Sequence, residues 1–189
     1  MNLLKEYIMR HGLVKSASIL DVSSFLNMQM EPKLMKEIGK TFAEHYKDVD
    51  FDAYITVESS GIAPSIFASL YSDKPLVVIK KFYKKDDSKV QQHCYSYTKK
   101  QDYYLTADEK FLENKRFILI DDFLASGSVV LNVEKLCDKV NSKVIKTGIC
   151  ISKDFQEGMI YLKENGYDVI SLAGIKKMDP EIGSIEFID

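Results

Sequence analysis

The residues best placed to do chemistry lie in FILIDDFLASGSVV, positions 117–130. Four apolar residues precede two acids, Asp121 and Asp122. Two further residues lead into a small-residue bend, Ala125, Ser126, Gly127, Ser128 and Val129. Small side chains let successive backbone N–H groups converge, and a helix starting at the bend adds the positive end of its dipole. The hydroxyls of Ser126 and Ser128 complete a cradle for a phosphate group. The two carboxylates can accept hydrogen bonds from the neighbouring hydroxyls of a sugar. They can also hold the waters of a hydrated Mg²⁺. GxxxxGK[ST] is absent, so this is not a Walker A loop. A purely structural strand–turn–helix with two solvent-exposed acids is the competing account.

Other groups of interest are scattered along the chain. Glu58, Ser59, Ser60 and Gly61 follow an apolar run. Lys80 and Lys81 follow another, and Lys153 and Phe155 follow a third. His11, His45 and His93 have no partner pattern that suggests catalysis. His93 beside Cys94 supplies two ligands, too few for a metal site.

Positioning these groups falls to elements that alternate along the chain. LLKEYIMRHG places Leu4, Ile8 and Met9 on one helical face, with Gly12 as the stop. The stretch SASILDVSSFLNMQMEP reads as irregular. Pro32 opens a helix carrying Leu34, Met35, Ile38 and Phe42 at helical spacing. Then AYITV (53–57), LVVI (76–79), FILI (117–120), VIKTGICI (144–151) and YDVISL read as buried strands. Helices IAPSIFASLY, SVVLNVEKLCDKV and MIYLKENG fall between them. Apolar strands alternating with helices argue for an α/β fold with a mainly parallel sheet covered on both faces. Ligands of such sheets bind beyond the strands' carboxyl ends, which points to the loops after 57, 120 and 151. Residues 82–113, basic and aromatic, read as a two-stranded excursion or a mobile loop.

The pattern of apolar strand, twin acids and small-residue bend closely resembles the PRPP-binding motif of the type I phosphoribosyltransferases (PRPP is 5-phosphoribosyl 1-diphosphate). DVSSFLNMQMEPKLM, VESSGIAPS, CYSYTKK, LIDDFLASG and SKDFQEG occur in the same order in bacterial members that act on xanthine, and the likeness covers most of the chain. The resemblance implies one domain, 1–189, with residues 1–35 contributing a hood over the base site and 82–113 a flexible loop. It implies transfer of ribose 5-phosphate from PRPP to xanthine, giving XMP and diphosphate in purine salvage. Asp121 and Asp122 take the catalytic role, and Mg²⁺ enters with PRPP. The loop Glu58–Gly61 wraps the pyrophosphate, often in this family through a non-proline cis peptide. Lys81 meets pyrophosphate charge, reaching the neighbouring subunit of a homodimer. Tyr95–Lys99 matches the mobile loop that closes over the reacting centre. Leu20, Asn27 and Lys153 match positions that touch xanthine. Asn27 can donate to the 2-oxo group and Lys153 to the 6-oxo group, while Phe155 stacks on the ring. Ala125 departs from the hypoxanthine–guanine enzymes, which usually carry an Asp there. Xanthine, a more acidic base, needs less help to become a nucleophile.

Two alternatives remain: transfer to hypoxanthine or guanine, and a PRPP-sensing regulator of the same fold. Such regulators usually carry an added DNA-binding domain, and no helix-turn-helix with a basic face precedes the sheet.

The bulk composition fits this reading. The chain has 189 residues, 46% hydrophobic and 29% charged, with a formal net charge of −2. That profile suits a folded domain and gives no sign of nucleic-acid or membrane binding. The N-terminus lacks the pattern of a signal peptide. Three widely spaced cysteines suggest neither a disulfide framework nor a zinc knuckle, and fit a reducing cytoplasm.

Overall fold

The computed structural model describes residues 1–96 and 100–188. Its centre is an eight-stranded sheet. Five strands run parallel in the order β9, β8, β7, β3, β4. They are β3 (Ala53–Val57), β4 (Leu76–Phe82), β7 (Arg116–Leu124), β8 (Lys143–Lys153) and β9 (Val169–Asp179). Antiparallel strands close both edges: β10 (Ser184–Phe187) beside β9, and the hairpin β5 (Val90–Ser96)–β6 (Gln101–Ala107) beside β4.

Side-chain alternation along the strands builds two cores. On one face Tyr54, Ile118, Ile120 and Cys150 pack under α1 (Asn2–His11), α2 (Pro32–His45) and α3 (Ile62–Ser72). On the other, Ala53, Ile55, Phe117, Leu119 and Ile149 pack under α5 (Ser128–Asp138) and α6 (Glu157–Glu164). A short helix, α4 (Glu109–Leu112), precedes β7. A sheet buried on both faces is why its strands read as continuous apolar runs. The expected α/β fold with helices on both faces is present.

Several expectations need correction. Met9 is 55% exposed, so the face of α1 that packs is Leu4 and Ile8, flanked by the partly buried Leu3 and Tyr7. Gly12 does end α1, but its φ of −73° is extended. It is needed because a Cβ there would lie 2.5 Å from the Ile8 carbonyl oxygen. LVVI is only partly buried, with Ile79 its sole buried residue. The stretch read as irregular, 16–32, holds β2 (Ile19–Asp21), paired in a hairpin with β1 (Leu13–Ser16) just before it, and a π-helical turn at Ser23–Asn27. Of the two readings for 82–113, the two-stranded one describes β5 and β6. Tyr97, Thr98 and Lys99 lie outside the described residues.

All three cysteines are free and buried. Cys150 lies in the core beneath the hood, Cys137 on the inner face of α5 in the opposite core, and Cys94 on β5. Burial pushes each thiol's pKa up, Cys137 to about 12.

Candidate active site

The strand β7 does not end at the acids, as the sequence suggested, but runs through them to Leu124. Asp121 sits opposite Ile149 of β8, and Phe123 opposite Ile151. Asp121 is thereby 9% exposed and is no surface acid. Burial, then the neighbouring Asp122 charge, raises its pKa well above the usual carboxylate range. The Asp122 backbone N–H, donated to Asp121 Oδ1 at 2.9 Å, and the charge of Lys81 pull the other way. Buried beside a second carboxylate, Asp121 holds its proton more tightly than an exposed aspartate does.

Past Leu124 the chain bends through Ala125 and Ser126 to Gly127, whose φ of +77° is left-handed. That conformation favours glycine. Helix α5 starts at Ser128, and the Ser128 N–H faces Ser126 Oγ at 3.4 Å. Asn132 Nδ2 donates to the Ser128 carbonyl at 2.8 Å, bracing the first helical turn. A cavity of about 120 Å³ is lined by Asp121, Phe123 and residues 124–130, including Ala125, Ser126, Gly127, Ser128 and Val129. Gly158 of α6 packs against this bend. A Cβ there would fall 2.1 Å from the Ala125 carbonyl oxygen and 2.6 Å from the Gly127 nitrogen.

The loop after β3 lies alongside. The Glu58–Ser59 peptide bond is cis. Gly61 is pressed against β7: a Cβ would meet Thr56 Oγ1 at 2.3 Å and Asp121 Oδ1 at 2.9 Å. Thr56 and Ser65 hydroxyls both reach the Ile120 carbonyl, at 2.7 and 3.4 Å. The Glu58 carboxylate turns to β4. It accepts from the Lys81 N–H at 2.7 Å and pairs with Lys80 Nζ at 3.2 Å. Glu58 therefore tethers the loop, leaving Ser59 and Ser60 at its outer turn. The Lys81 side chain is exposed.

The N-terminal hood meets the acids through side chains. Asn27 Nδ2 donates to Asp122 Oδ2 at 3.3 Å. Lys153 Nζ donates to the Ser18 carbonyl, in the β1–β2 turn, at 2.7 Å, and lies 5.3 Å from the Phe123 ring centroid. Burial lowers the Lys153 pKa. Phe155, 39% exposed, lies two residues further on. Leu20 is 6% exposed and belongs to the hood core.

Thus Asp121, Asp122, Asn27, the 125–129 bend, Gly61 and Lys153 converge at the carboxyl ends of β3, β7 and β8. Leu20 does not present an exposed side chain there. Sequence reasoning missed Phe123, although it adjoins the acids, and Gly158, which no local pattern links to the bend. Among the described residues, no cluster of three His, Cys, Asp or Glu side chains could hold a metal ion. No helix among them is long and apolar enough to cross a membrane.

A parallel sheet bearing twin acids and a glycine bend at its carboxyl ends defines an α/β protein built to seat a phosphorylated ligand. The phosphoribosyl transferase domain model matches residues 26–172, and the chain belongs to that family. It is 41% identical over 186 residues to a xanthine phosphoribosyltransferase of Listeria innocua, covering 96% of each chain. It is 39% identical over 191 residues to xanthine phosphoribosyltransferase 1 of Clostridium botulinum, covering 100% of each. Among solved structures it resembles adenine phosphoribosyltransferase of Thermoanaerobacter pseudethanolicus, with a TM-score of 0.73 at 20% identity over 90% of this chain and 99% of that one. The Trypanosoma brucei adenine enzyme, solved with AMP, pyrophosphate and ribose-5-phosphate, gives 0.74 at 17% identity, covering 92% and 80%. At these identities the structural likeness speaks for the fold.

Proposed function

We propose that the chain is a xanthine phosphoribosyltransferase, joining xanthine to the ribose 5-phosphate of PRPP and releasing diphosphate in purine salvage. One observation carries the reading. A buried Asp121 beside a partly exposed Asp122, a glycine-cornered bend and a half-buried lysine share one sheet end beneath a hood. Full-length relatives bearing the xanthine name support the choice of base.

In this reading the bend 125–129 anchors the 5-phosphate. Asp121 and Asp122 accept from the ribose hydroxyls and stabilise positive charge developing on the ring. The Ser59–Gly61 turn and Lys81 meet the diphosphate. Xanthine, its proton already given up to solvent, attacks C1 through N9 as the C1–O bond to diphosphate breaks, through an oxocarbenium-like transition state. Anchoring far from C1 aligns the reacting atoms. Lys153 donates to the 6-oxo oxygen and Phe155 covers the ring. The donor set fits Mg²⁺ that arrives on PRPP: two adjacent carboxylates can hold its waters, and among the described residues no third His, Cys, Asp or Glu joins them to bind the ion outright. When bound, the ion neutralises charge on the leaving diphosphate.

The working form is a homodimer in the cytoplasm. Exposed Ile66, Leu70 and Tyr71 on α3, beside a cavity of about 620 Å³, support a self-association face. Buried free thiols fit a reducing compartment.

The test is an assay with PRPP, Mg²⁺ and each purine base in turn. Xanthine should give the highest kcat/KM. A wide margin in favour of guanine or hypoxanthine would reassign the substrate. Asp121→Asn with Asp122→Asn should lower turnover with every base.

A further inference from the structure

We infer that Asn27 is a positioning residue for Asp122, so that the hood helps bind the sugar phosphate before any base arrives. This rests on the proposed PRPP site and goes beyond it, since Asn27 was expected to act on the base.

Three features point this way. First, the Asn27 amide donates to Asp122 Oδ2 at 3.3 Å, across 95 residues of sequence. Second, the turn that delivers it is specialised. Both the Met28 and Gln29 N–H groups donate to the Ser23 carbonyl, the latter at 2.8 Å, widening the turn to π-helical geometry. Buried Phe25 and Leu26 fix it to the core, while Asn27 is left at the inner edge. Such widened turns often accompany functional sites. Third, Asp122 needs orienting. Its own backbone N–H is spent on Asp121, and the adjacent carboxylate repels it. An amide NH₂ is a donor that brings no charge. A carboxylate has about four lone-pair sites, so Asn27 occupies one and leaves others for ribose hydroxyls.

The experiment is calorimetric titration of Mg-PRPP into the full chain without base, alongside steady-state kinetics. If Asn27 orients Asp122, Asn27→Ala should weaken binary PRPP binding by about tenfold, the scale of one hydrogen bond to a charged group. Asn27→Asp preserves size but sets a third carboxylate against the pair, and should weaken it further. In Asp122→Asn background the Asn27→Ala effect should shrink, because the two act as a unit. Unfolding temperatures identify any variant that fails to fold, and the near-isosteric Asp variant then decides. Unchanged or tighter PRPP binding in both variants, with only the xanthine KM raised, overturns the inference and leaves the proposed function intact. Failure of the unmodified protein to bind Mg-PRPP overturns the function itself.

Discussion

At the scale of single residues, the acid pair trades stability for chemistry. Asp121 has a raised pKa because the folded protein buries it beside another carboxylate. A group whose folded pKa is raised binds more protons folded than unfolded, so it favours the fold at low pH. That contribution disappears as pH rises through the folded pKa. At neutral pH, where the unfolded carboxylate is ionised, holding this group buried beside a second acid therefore counts against folding. Asp121→Asn should raise the unfolding temperature at pH 7 by several degrees while lowering kcat steeply. A scan showing no rise would mean that the carboxylate is better solvated than its burial implies. Lys153 gives a second test. Its pKa is lowered by burial, so its ammonium is lost at lower pH than that of an exposed lysine, near ~10.4. The alkaline limb of kcat/KM for xanthine should move upward in Lys153→Arg, which stays charged, and Lys153→Ala should chiefly raise KM for 6-oxopurines. Xanthine's own ionisation is common to all three proteins, so only the difference between profiles counts. The acids, the bend and the lysine were legible in the sequence because each is a local pattern of residue types. The commitments of Asn27 to Asp122 and of Lys153 to the Ser18 carbonyl were not, since they join segments 95 and 135 residues apart.

At the scale of elements, the phosphate bend depends on what lies behind it. Helix α6 can approach only because residue 158 is glycine, and any side chain there would push on the Ala125 carbonyl and the Gly127 nitrogen. Gly158→Ala should reduce kcat/KM for PRPP by about 10²-fold, since small displacements of an anchor misalign the reacting centre. The xanthine KM should change little. Equal damage to both constants would show that the substitution disrupts the whole site and not the bend alone. The parallel strands were readable because burial on both faces gives unbroken apolar runs. The β1–β2 hairpin escaped notice for the opposite reason. It is two short strands with mixed burial, and only Leu20 is buried among its strand residues. Strand β10 is equally short, with alternating half-exposed residues. Strand β7 outran its apolar segment because a strand can carry acids where a neighbour, here β8, still holds its backbone, whereas its pairing with β3 stops at Leu119.

At the scale of the whole molecule, α3 presents Leu70 at 73% exposure beside Ile66 and Tyr71, an apolar face left uncovered by the described residues. If this face joins two copies, Leu70→Glu should shift the species seen by sedimentation from dimer to monomer, because in a two-fold interface each substitution acts twice. A protein that sediments as a monomer before substitution would remove the assembly from the proposal. Activity measured on the same samples would tell whether the second copy matters to turnover.

The three reduced cysteines give this molecule built-in clocks. One sits beneath the hood, one in the opposite layer and one on the edge hairpin, and each thiol must meet solvent before a reagent can modify it. Timed alkylation read by peptide mass would report how often each layer opens. Slower modification of Cys150 alone, once ligand is added, would mean that occupancy quiets the hood without stiffening the rest.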